Sequence, residues 1–128
     1  MVVYCTYCSS KKNRSSQLLP AIKRYKSNRI SAIHRTAFKQ NIPFLILSGK
    51  HGLLKPNDNI KYYNYLLKPM EVNEHAEKVA DQLKRFGVEE IIFFTDSLDN
   101  DPNIVPYLDC IKKAAEILSL KMNIINLS

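Results

Sequence analysis

The sequence predicts one α/β domain over residues 1–128, a three-layer α/β/α sandwich with a mainly parallel four-stranded sheet. Two observations predict this fold. Strand-like apolar runs alternate with amphipathic helical segments, which is the order of parallel strands joined by right-handed crossovers. The chain also has 128 residues, 45% of them hydrophobic and 24% charged, which suffices for one core and excludes a disordered protein.

The first half of the chain contains two predicted strands and one predicted helix. Residues 2–8 are rich in β-formers and end at two serines, so they predict a strand. Residues 11–26 are polar and basic and predict a long loop with room for a short helix. Ser27 or Asn28 then caps a helix. The continuous apolar run of residues 44–47 predicts a buried second strand. The helix would bury one stripe, formed by Ile30, Ile33, Ala37 and Phe38.

The second half predicts two more helices and two more strands. A long connection leads from residue 52 to Pro69. Val72, Val79 and Leu83 then share one face of the clearest helix, which ends at Gly87. Residues 89–95 predict the third strand, a helix follows Pro102, and residues 122–127 predict the fourth strand.

Several protein classes are excluded by composition. No apolar run approaches the roughly 20 residues that span a bilayer, and the N-terminus lacks the pattern of a secretory signal. Three cysteines (Cys5, Cys8 and Cys110) do not form a disulfide framework by their number or spacing. We therefore expect a cytoplasmic protein with no membrane partner. The oligomeric state stays open, and a homo-oligomer is one of the states allowed.

Charge is strongly segregated along the chain. Before Asp58 there are eleven Lys and Arg residues and no acidic residue, whereas all 12 acidic residues lie from Asp58 onward. Solvated surfaces normally mix their signs, so this asymmetry indicates an anionic partner for the first half, such as a nucleotide or nucleic acid. The alternative is a generally basic protein with lysines on every exposed face.

Polar segments follow the predicted strands. Ligands of open parallel sheets bind beyond the carboxyl ends of the strands, which here are residues 8–12, 48–52 and 95–97. The first two are cationic and rich in small residues, and topology should bring them together. We therefore expect the ligand site at this edge of the sheet.

Residues Ser48-Gly49-Lys50-His51-Gly52 carry several groups suited to chemistry. Gly49 and Gly52 allow the backbone to approach a ligand, Lys50 offers a charge for phosphate, and His51 can transfer a proton near neutral pH. The spacing is not that of a Walker A loop. The alternative is a strand-to-loop turn whose histidine caps a backbone group.

The first strand end could bind an anion through amides, hydroxyls and two ammonium groups, from Cys8, Ser9, Ser10, Lys11 and Lys12. A solvated basic turn is the alternative. Cys5 and Cys8 have CxxC spacing, but they would point to opposite faces of a strand, and no second ligand pair exists. We expect no metal and no cofactor, with Cys5 in the core.

Three tyrosines (Tyr62, Tyr63 and Tyr65) lie in the long connection. One ring could stack on a nucleobase, although packing of the loop onto the domain explains at least two of them. Asp96 is the only carboxylate expected near the site, because Asp99 and Asp101 suit the turn and cap before a helix. His34 and His75 are expected on helix surfaces.

Three segments resemble a small uncharacterised α/β family with the motifs C-S-x-x-K, L-S-[AG]-K-H-G-L and P-x-x-x-I-x-x-Y-[DN]-x-x-L. They are residues 8–12, 47–53 and 56–67, and the middle one is the most specific. The resemblance makes Tyr63 and Asn64 binding candidates, although the family commonly has Asp where this chain has Asn64. The motif lysine could be Lys11 or Lys12.

The family is distantly similar to YaaA-like proteins and to a segment of archaeal tRNA-base modification enzymes, and its layout resembles uracil-DNA glycosylases. These likenesses imply nucleobases, nucleotides or nucleic acid as ligands, although a shared fold does not fix function.

Three functions compete. The first is an enzyme acting on a nucleotide or nucleic-acid base, with an N-glycosidic bond as one candidate target. Lys50 and Lys11 or Lys12 would hold phosphate, and His51 would stabilise charge or transfer a proton. Ser9, Ser48 and Asp96 would orient substrate or water. The second is a non-catalytic RNA- or DNA-binding module. The third is a nucleotide or phosphate sensor without turnover, or a subunit of a larger assembly.

Overall fold

A mixed five-stranded sheet forms the centre of the molecule. The computed structural model describes residues 1–127, and its strands are β1 (Val2–Tyr7), β2 (Leu19–Pro20), β3 (Phe44–Ser48), β4 (Gly52–Leu54), β5 (Asn59–Ile60), β6 (Glu90–Thr95) and β7 (Lys121–Asn126). The main sheet has the order β4-β3-β1-β6-β7, and β2 pairs separately with β5.

Strands β1, β3, β6 and β7 are parallel and correspond to the four predicted strands. The predicted α/β fold with a mainly parallel sheet is therefore confirmed. Strand β4 was not predicted, and it returns antiparallel beside β3, with Ser48 opposite Gly52. The prediction of a loop there was wrong. The strand was missed because its three residues are too few to show a period in hydrophobicity.

Four helices flank the sheet: α1 (Ala21–Arg24), α2 (Asn28–Lys39), α3 (Val72–Phe86) and α4 (Val105–Leu118). Helix α2 packs on β1 and β3, whereas α3 and α4 pack on each other and reach β4 and β7, respectively. The β1–α2–β3 and β3–α3–β6 connections cross the sheet in opposite directions. Right-handed crossovers therefore put α2 on one face and α3 and α4 on the other.

Local sequence signals fix the helix ends. The Ser27 hydroxyl accepts the Ile30 amide at 3.2 Å, which caps α2. Gly87 ends α3 in the left-handed conformation, with φ of 72°. Phe38, however, is 82% exposed, so the prediction that it shares the buried stripe was wrong. The stripe ends at Ala37, two residues before the helix ends at Lys39.

The sheet is covered unevenly. All five residues of β3 are buried, as predicted for a strand with both faces covered. In β6, Ile91 and Phe93 are fully buried, whereas their neighbours Ile92 and Phe94 are only half-buried. Most of β7 is exposed. The part of the sheet formed by β6 and β7 is therefore less well covered than β3.

The buried side chain of Arg24 holds the basic N-terminal segment in place. This side chain is fully buried, and its guanidinium donates to the carbonyls of Asn13 (2.6 Å), Ser15 (3.0 Å), Gln17 (2.6 Å) and Ile60 (3.1 Å). Three of these bonds satisfy carbonyl groups of residues 13–17, which lie outside the strands, and the fourth joins this segment to β5. No helix within residues 1–127 is long and apolar enough to span a membrane.

Candidate functional site

A cavity of about 280 Å³ opens beyond the carboxyl ends of β1 and β6. The connection between β5 and α3 covers it on one side, and the turn before α4 covers it on another. Its lining is polar and aromatic, and it is formed by Tyr7, Cys8, Ser9, Ser10, Lys12, Arg29, Asn64, Tyr65, Leu66, Asp96, Asp101, Asn103, Ile104 and Tyr107. We call it the Cys8 cavity.

Arg29 supplies one cation to this cavity. Its guanidinium donates to the carbonyls of Tyr7 (2.8 Å) and Cys8 (3.2 Å) and lies 3.7 Å from the centroid of the Tyr7 ring. Burial lowers the pKa of Arg29, while Tyr7, Cys8 and Asp96 act in the opposite direction. The end of β1 thus holds a guanidinium in a fixed orientation at the cavity wall.

Lys12 supplies the second cation. Its ammonium group lies 4.7 Å from the centroid of the Tyr63 ring and 5.8 Å from that of Tyr25. Burial lowers the pKa of Lys12, and the neighbouring Cys8 partly opposes this effect. Within residues 1–127, neither Lys12 nor Arg29 forms a salt bridge. An anion in the cavity would therefore relieve the desolvation of both groups.

Cys8 lines the same cavity, and the residue is 8% exposed. The Tyr107 hydroxyl, which accepts the Leu67 amide at 3.1 Å, also interacts with Cys8. Burial raises the pKa of Cys110 to about 12 and raises that of Cys5 as well. Of the cysteines, Cys8 is thus the one that a ligand in the cavity could meet.

The remaining predicted residues of the first strand end differ in position. The Ser9 hydroxyl donates to the Lys11 carbonyl at 2.7 Å, so it stabilises the turn while lining the cavity. Ser10 lines the cavity as well, whereas Lys11 is exposed and faces an outer hollow. Of the two candidate motif lysines, Lys12 is therefore the one at the cavity.

Asp96 brings a carboxylate to the cavity from the end of β6. It accepts the amide of Ser97 at 2.9 Å and the side-chain amide of Asn100 at 3.2 Å, which orient it. Asp101 also lines the cavity, but its carboxylate accepts the Asn103 amide and caps the turn before α4, as predicted. Two cations thus share a small volume with two carboxylates, of which that of Asp101 is engaged in the cap.

Three hydroxyl groups form a buried chain beside the cavity. The Tyr63 hydroxyl lies 2.8 Å from the Ser48 hydroxyl and 2.5 Å from that of Tyr25. Ser48 Oγ already accepts the amides of Lys50 (3.2 Å) and His51 (3.1 Å), so its proton is available for Tyr63. The two tyrosine hydroxyls share a hydrogen bond in which either can donate. Burial raises the pKa of both tyrosines.

Lys50 and His51 do not line the Cys8 cavity. They face a separate open hollow of about 560 Å³, which they share with Lys61 and Gln82. We call this the Lys50 hollow. Residues of both spaces approach the Tyr63 ring: the Lys12 ammonium lies 4.7 Å and the Lys50 ammonium 5.7 Å from its centroid, and the His51 ring lies edge-on at 5.2 Å. The two predicted stretches are neighbours, but they open into different spaces.

His51 has an unusual environment. Its Nε2 atom is buried and has no hydrogen-bond partner among residues 1–127. Burial lowers the pKa of His51, and the nearby Lys50 and Lys78 lower it further. The ring is therefore neutral at physiological pH, and a neutral imidazole can accept or donate a proton.

Packing explains why glycine occupies positions 49 and 52. Gly52 has φ of 74°, and a Cβ there would meet the Gln82 side chain at 2.3 Å. A Cβ on Gly49 would lie 2.9 Å from the Tyr107 hydroxyl and 3.1 Å from the Leu67 amide. Both positions favour glycine because of close packing, with no ligand required.

Some residues lie elsewhere than predicted. His75 is buried and donates through Nε2 to the Ser48 carbonyl at 2.8 Å, so its prediction as a surface residue was wrong. His34 is half-buried against Phe44. Tyr63 is buried, whereas Tyr62 and Tyr65 are 38% and 37% exposed. Asn64 is exposed and lines the cavity.

The sequence analysis missed Arg29, Tyr25 and Tyr107. A signal existed for two of them. Tyr107 lies three residues after Ile104 on the predicted buried face of α4, and Arg29 lies in the first turn of α2, near the end of β1. Tyr25 follows a four-residue helix that had no readable period. Among residues 1–127, no group of three or more His, Cys, Asp or Glu side chains could hold a metal ion.

Comparison with known proteins places the chain in a family. Residues 3–99 match the model of DUF6884, which is described as a family of unknown function. That span includes β1, β3, β6 and most of the lining of the Cys8 cavity. No curated protein and no solved structure matches the chain. Since the match covers well over half of its length, the chain belongs to the DUF6884 family.

Proposed function

We propose that this protein is an enzyme that acts on a nucleotide or a nucleic-acid base bound in the Cys8 cavity. The observation that carries the proposal is the pair of partly desolvated cations, Lys12 and Arg29, which face one cavity with Asp96 and have no salt bridge in the described chain. At about 280 Å³, the cavity is at the small end of ligand sites, which suits one base or one nucleotide.

Different residues of the cavity lining suit different parts of a nucleotide. Lys12 and Arg29 suit a phosphate or another oxyanion, because a guanidinium and an ammonium both bind oxyanions. The rings of Tyr65 and Tyr107 offer planar apolar surface for a base. Asn64 offers both a donor and an acceptor for the edge of a base.

Asp96 is the candidate general base. Its carboxylate is held by two donors at the cavity wall, so it can orient a water molecule toward a bound substrate. Hydrolysis of an N-glycosidic bond is one reaction that this arrangement suits, because the carboxylate would both activate water and offset the positive charge that develops on the sugar. Lys50 and His51 lie outside the cavity, so they serve parts of the substrate that extend beyond it.

A binding and turnover experiment tests the proposal. Nucleoside monophosphates are titrated into the protein by calorimetry, and base release is followed by chromatography. We expect Lys12→Gln and Arg29→Gln to weaken binding, and Asp96→Asn to retain binding but lose turnover. Lys39→Gln, an exposed cation outside the cavity, is the matched control. Equal affinity in the control, Lys12 and Arg29 variants would contradict the proposal.

A non-catalytic RNA- or DNA-binding module is the second candidate. It is favoured by one observation: among residues 1–127, the salt bridges use Met1, Arg85 and Lys121 as cations, and none uses the eleven basic residues before Asp58. Saturable binding without any product, over a panel of nucleotides and oligonucleotides, would favour this candidate over the enzyme.

A further inference from the structure

We propose that the substrate is single-stranded nucleic acid, whose phosphate backbone follows a basic track across the surface while one nucleotide enters the Cys8 cavity. We define the basic track as Lys11, Arg14, Lys26, Lys12, Lys50 and Lys61. This proposal rests on the proposed function and adds the class of substrate to it.

The track begins in an open hollow of about 910 Å³ beside the start of α2. Lys11, Lys12, Arg14 and Lys26 line this hollow, and no acidic residue does. We call it the Lys26 hollow. Lys12 lines both this hollow and the Cys8 cavity, so a nucleic-acid strand that lies in one can extend into the other and contact lysine side chains in both.

The track continues past Tyr63 into the Lys50 hollow. The ammonium groups of Lys12 and Lys50 lie 4.7 Å and 5.7 Å from the centroid of the same ring, so the two groups are close to each other. Lys61 extends the positive wall of the Lys50 hollow. The carboxylate there, Asp58, accepts the Lys55 amide at 2.8 Å and so caps its own turn.

The three spaces together favour a polymer over a free nucleotide. A mononucleotide fills one cavity of about 280 Å³ and leaves two cationic hollows without a counterion. Successive phosphates of a strand would neutralise both, since the Cys8 cavity shares Lys12 with the Lys26 hollow, and Lys50 of the Lys50 hollow lies near the same Tyr63 ring as Lys12. Each phosphate contact releases a condensed counterion, which adds to the affinity.

Two exposed tyrosines favour a single strand over a duplex. Tyr62 is 38% exposed, and the Arg14 guanidinium lies 6.0 Å from the centroid of its ring. Tyr65 is exposed at the wall of the Cys8 cavity. Rings beside a cationic groove stack on unpaired bases of any sequence. A base inside a duplex would have to leave the stack before it could enter a cavity of this size.

The test is fluorescence anisotropy with labelled 12-nucleotide oligomers, ribo- and deoxyribo-, as single strands and as duplexes, with a nucleoside monophosphate as competitor. We expect single strands to bind more tightly than both the duplex and the mononucleotide. Lys26→Gln and Lys61→Gln should each weaken single-strand binding about fivefold at 0.1 M salt, because affinity varies with salt to a power of about −0.7 per contact. Neither should change mononucleotide affinity.

Arg35→Gln and Lys39→Gln are the matched controls, because both are exposed cations of the basic half that lie outside the three spaces. An equal effect of control and track variants, or duplex binding as tight as that of single strands, would overturn the basic track. Mononucleotide binding without tighter oligomer binding would also overturn it while leaving the Cys8 cavity intact. Oligomer binding that depends on the track without any mononucleotide binding would support the track and count against the proposed function.

Discussion

Replacing Tyr63 by Phe removes one oxygen atom from the centre of the buried hydroxyl chain and leaves the ring in place. The lost hydroxyl lies 2.8 Å from Ser48 Oγ and 2.5 Å from the Tyr25 hydroxyl, and all three residues are buried. The Tyr25 hydroxyl would lose its hydrogen-bond partner, and the Ser48 hydroxyl would lose its acceptor. A buried polar group without a partner costs about 1–3 kcal/mol.

The expected loss is toward the middle of that range. Ser48 Oγ keeps the amides of Lys50 and His51 as donors, so only its own proton loses a partner. We therefore expect the free energy of unfolding to fall by about 2 kcal/mol. With an unfolding entropy of about 2.1 cal/mol/K per residue, a chain of this length should lose about 7 °C in Tm.

Thermal and urea unfolding, followed by circular dichroism, measure this loss. The matched control is Tyr62→Phe, which removes the same atom from an exposed ring and should change stability by less than about 0.5 kcal/mol. If the two variants unfold at the same temperature, the hydroxyl chain does not stabilise the fold, and the reasoning from burial is refuted.

Four further predictions follow from the same structure. Cys8 should be alkylated by iodoacetamide before Cys5 and Cys110 in the native protein, and a bound nucleotide should protect Cys8. Mass spectrometry of peptides measures the order of labelling, and faster labelling of Cys110 would contradict this prediction. Burial lowers the pKa of His75 below the ordinary value of 6.5, so the unfolded chain binds more protons just below that pH. The free energy of unfolding should therefore fall as the pH drops below 6.5, less steeply in His75→Gln, and urea titrations at several pH values test this. Affinity for a nucleoside monophosphate should fall as the pH rises through the lowered pKa of Lys12, and Lys12→Arg should remove that fall in calorimetric titrations; an identical pH profile would exclude Lys12 as the anion contact. Arg24→Met should cost about 3 kcal/mol or more, because several carbonyls lose a charged donor, and it should open residues 13–17 to limited proteolysis, whereas Arg35→Met should not.

The regular elements were predictable because their signals are local. The apolar period of α3 and its terminal Gly87 mark both the buried face and the end of that helix. The buried run of β3 and the alternating β6 mark strands in the same way. In contrast, β4 has only three residues, and its pairing with β3 depends on a turn that periodicity does not reveal.

The site was predictable to the extent that it follows the strand ends. The rule for parallel sheets brings Cys8, Lys12 and Asp96 to one edge, and the structure places all three at one cavity. The same rule did not place Lys50 and His51, because β4 turns the chain back immediately after β3. That return directs both residues toward α3, where the Gln82 amide approaches the His51 carbonyl at 3.4 Å.

The contacts of Tyr63 could not be predicted from the sequence. This residue lies in a connection without regular structure, so no period fixes the direction of its side chain. Its position depends on partners 15 and 38 residues away, at Ser48 and Tyr25. Contacts of this kind depend on the whole fold.

The fully buried guanidinium of Arg24 has a consequence for recognition. A loop of this composition would ordinarily sample many conformations and would lose that freedom upon meeting a partner. Here one planar guanidinium binds three main-chain oxygens of the loop and joins them to the Ile60 carbonyl of β5, so the loop is ordered before any encounter. Side-chain and loop ordering is a substantial cost of association, and a preformed wall reduces it. The rigidity of this surface is therefore set by a residue that no ligand can touch.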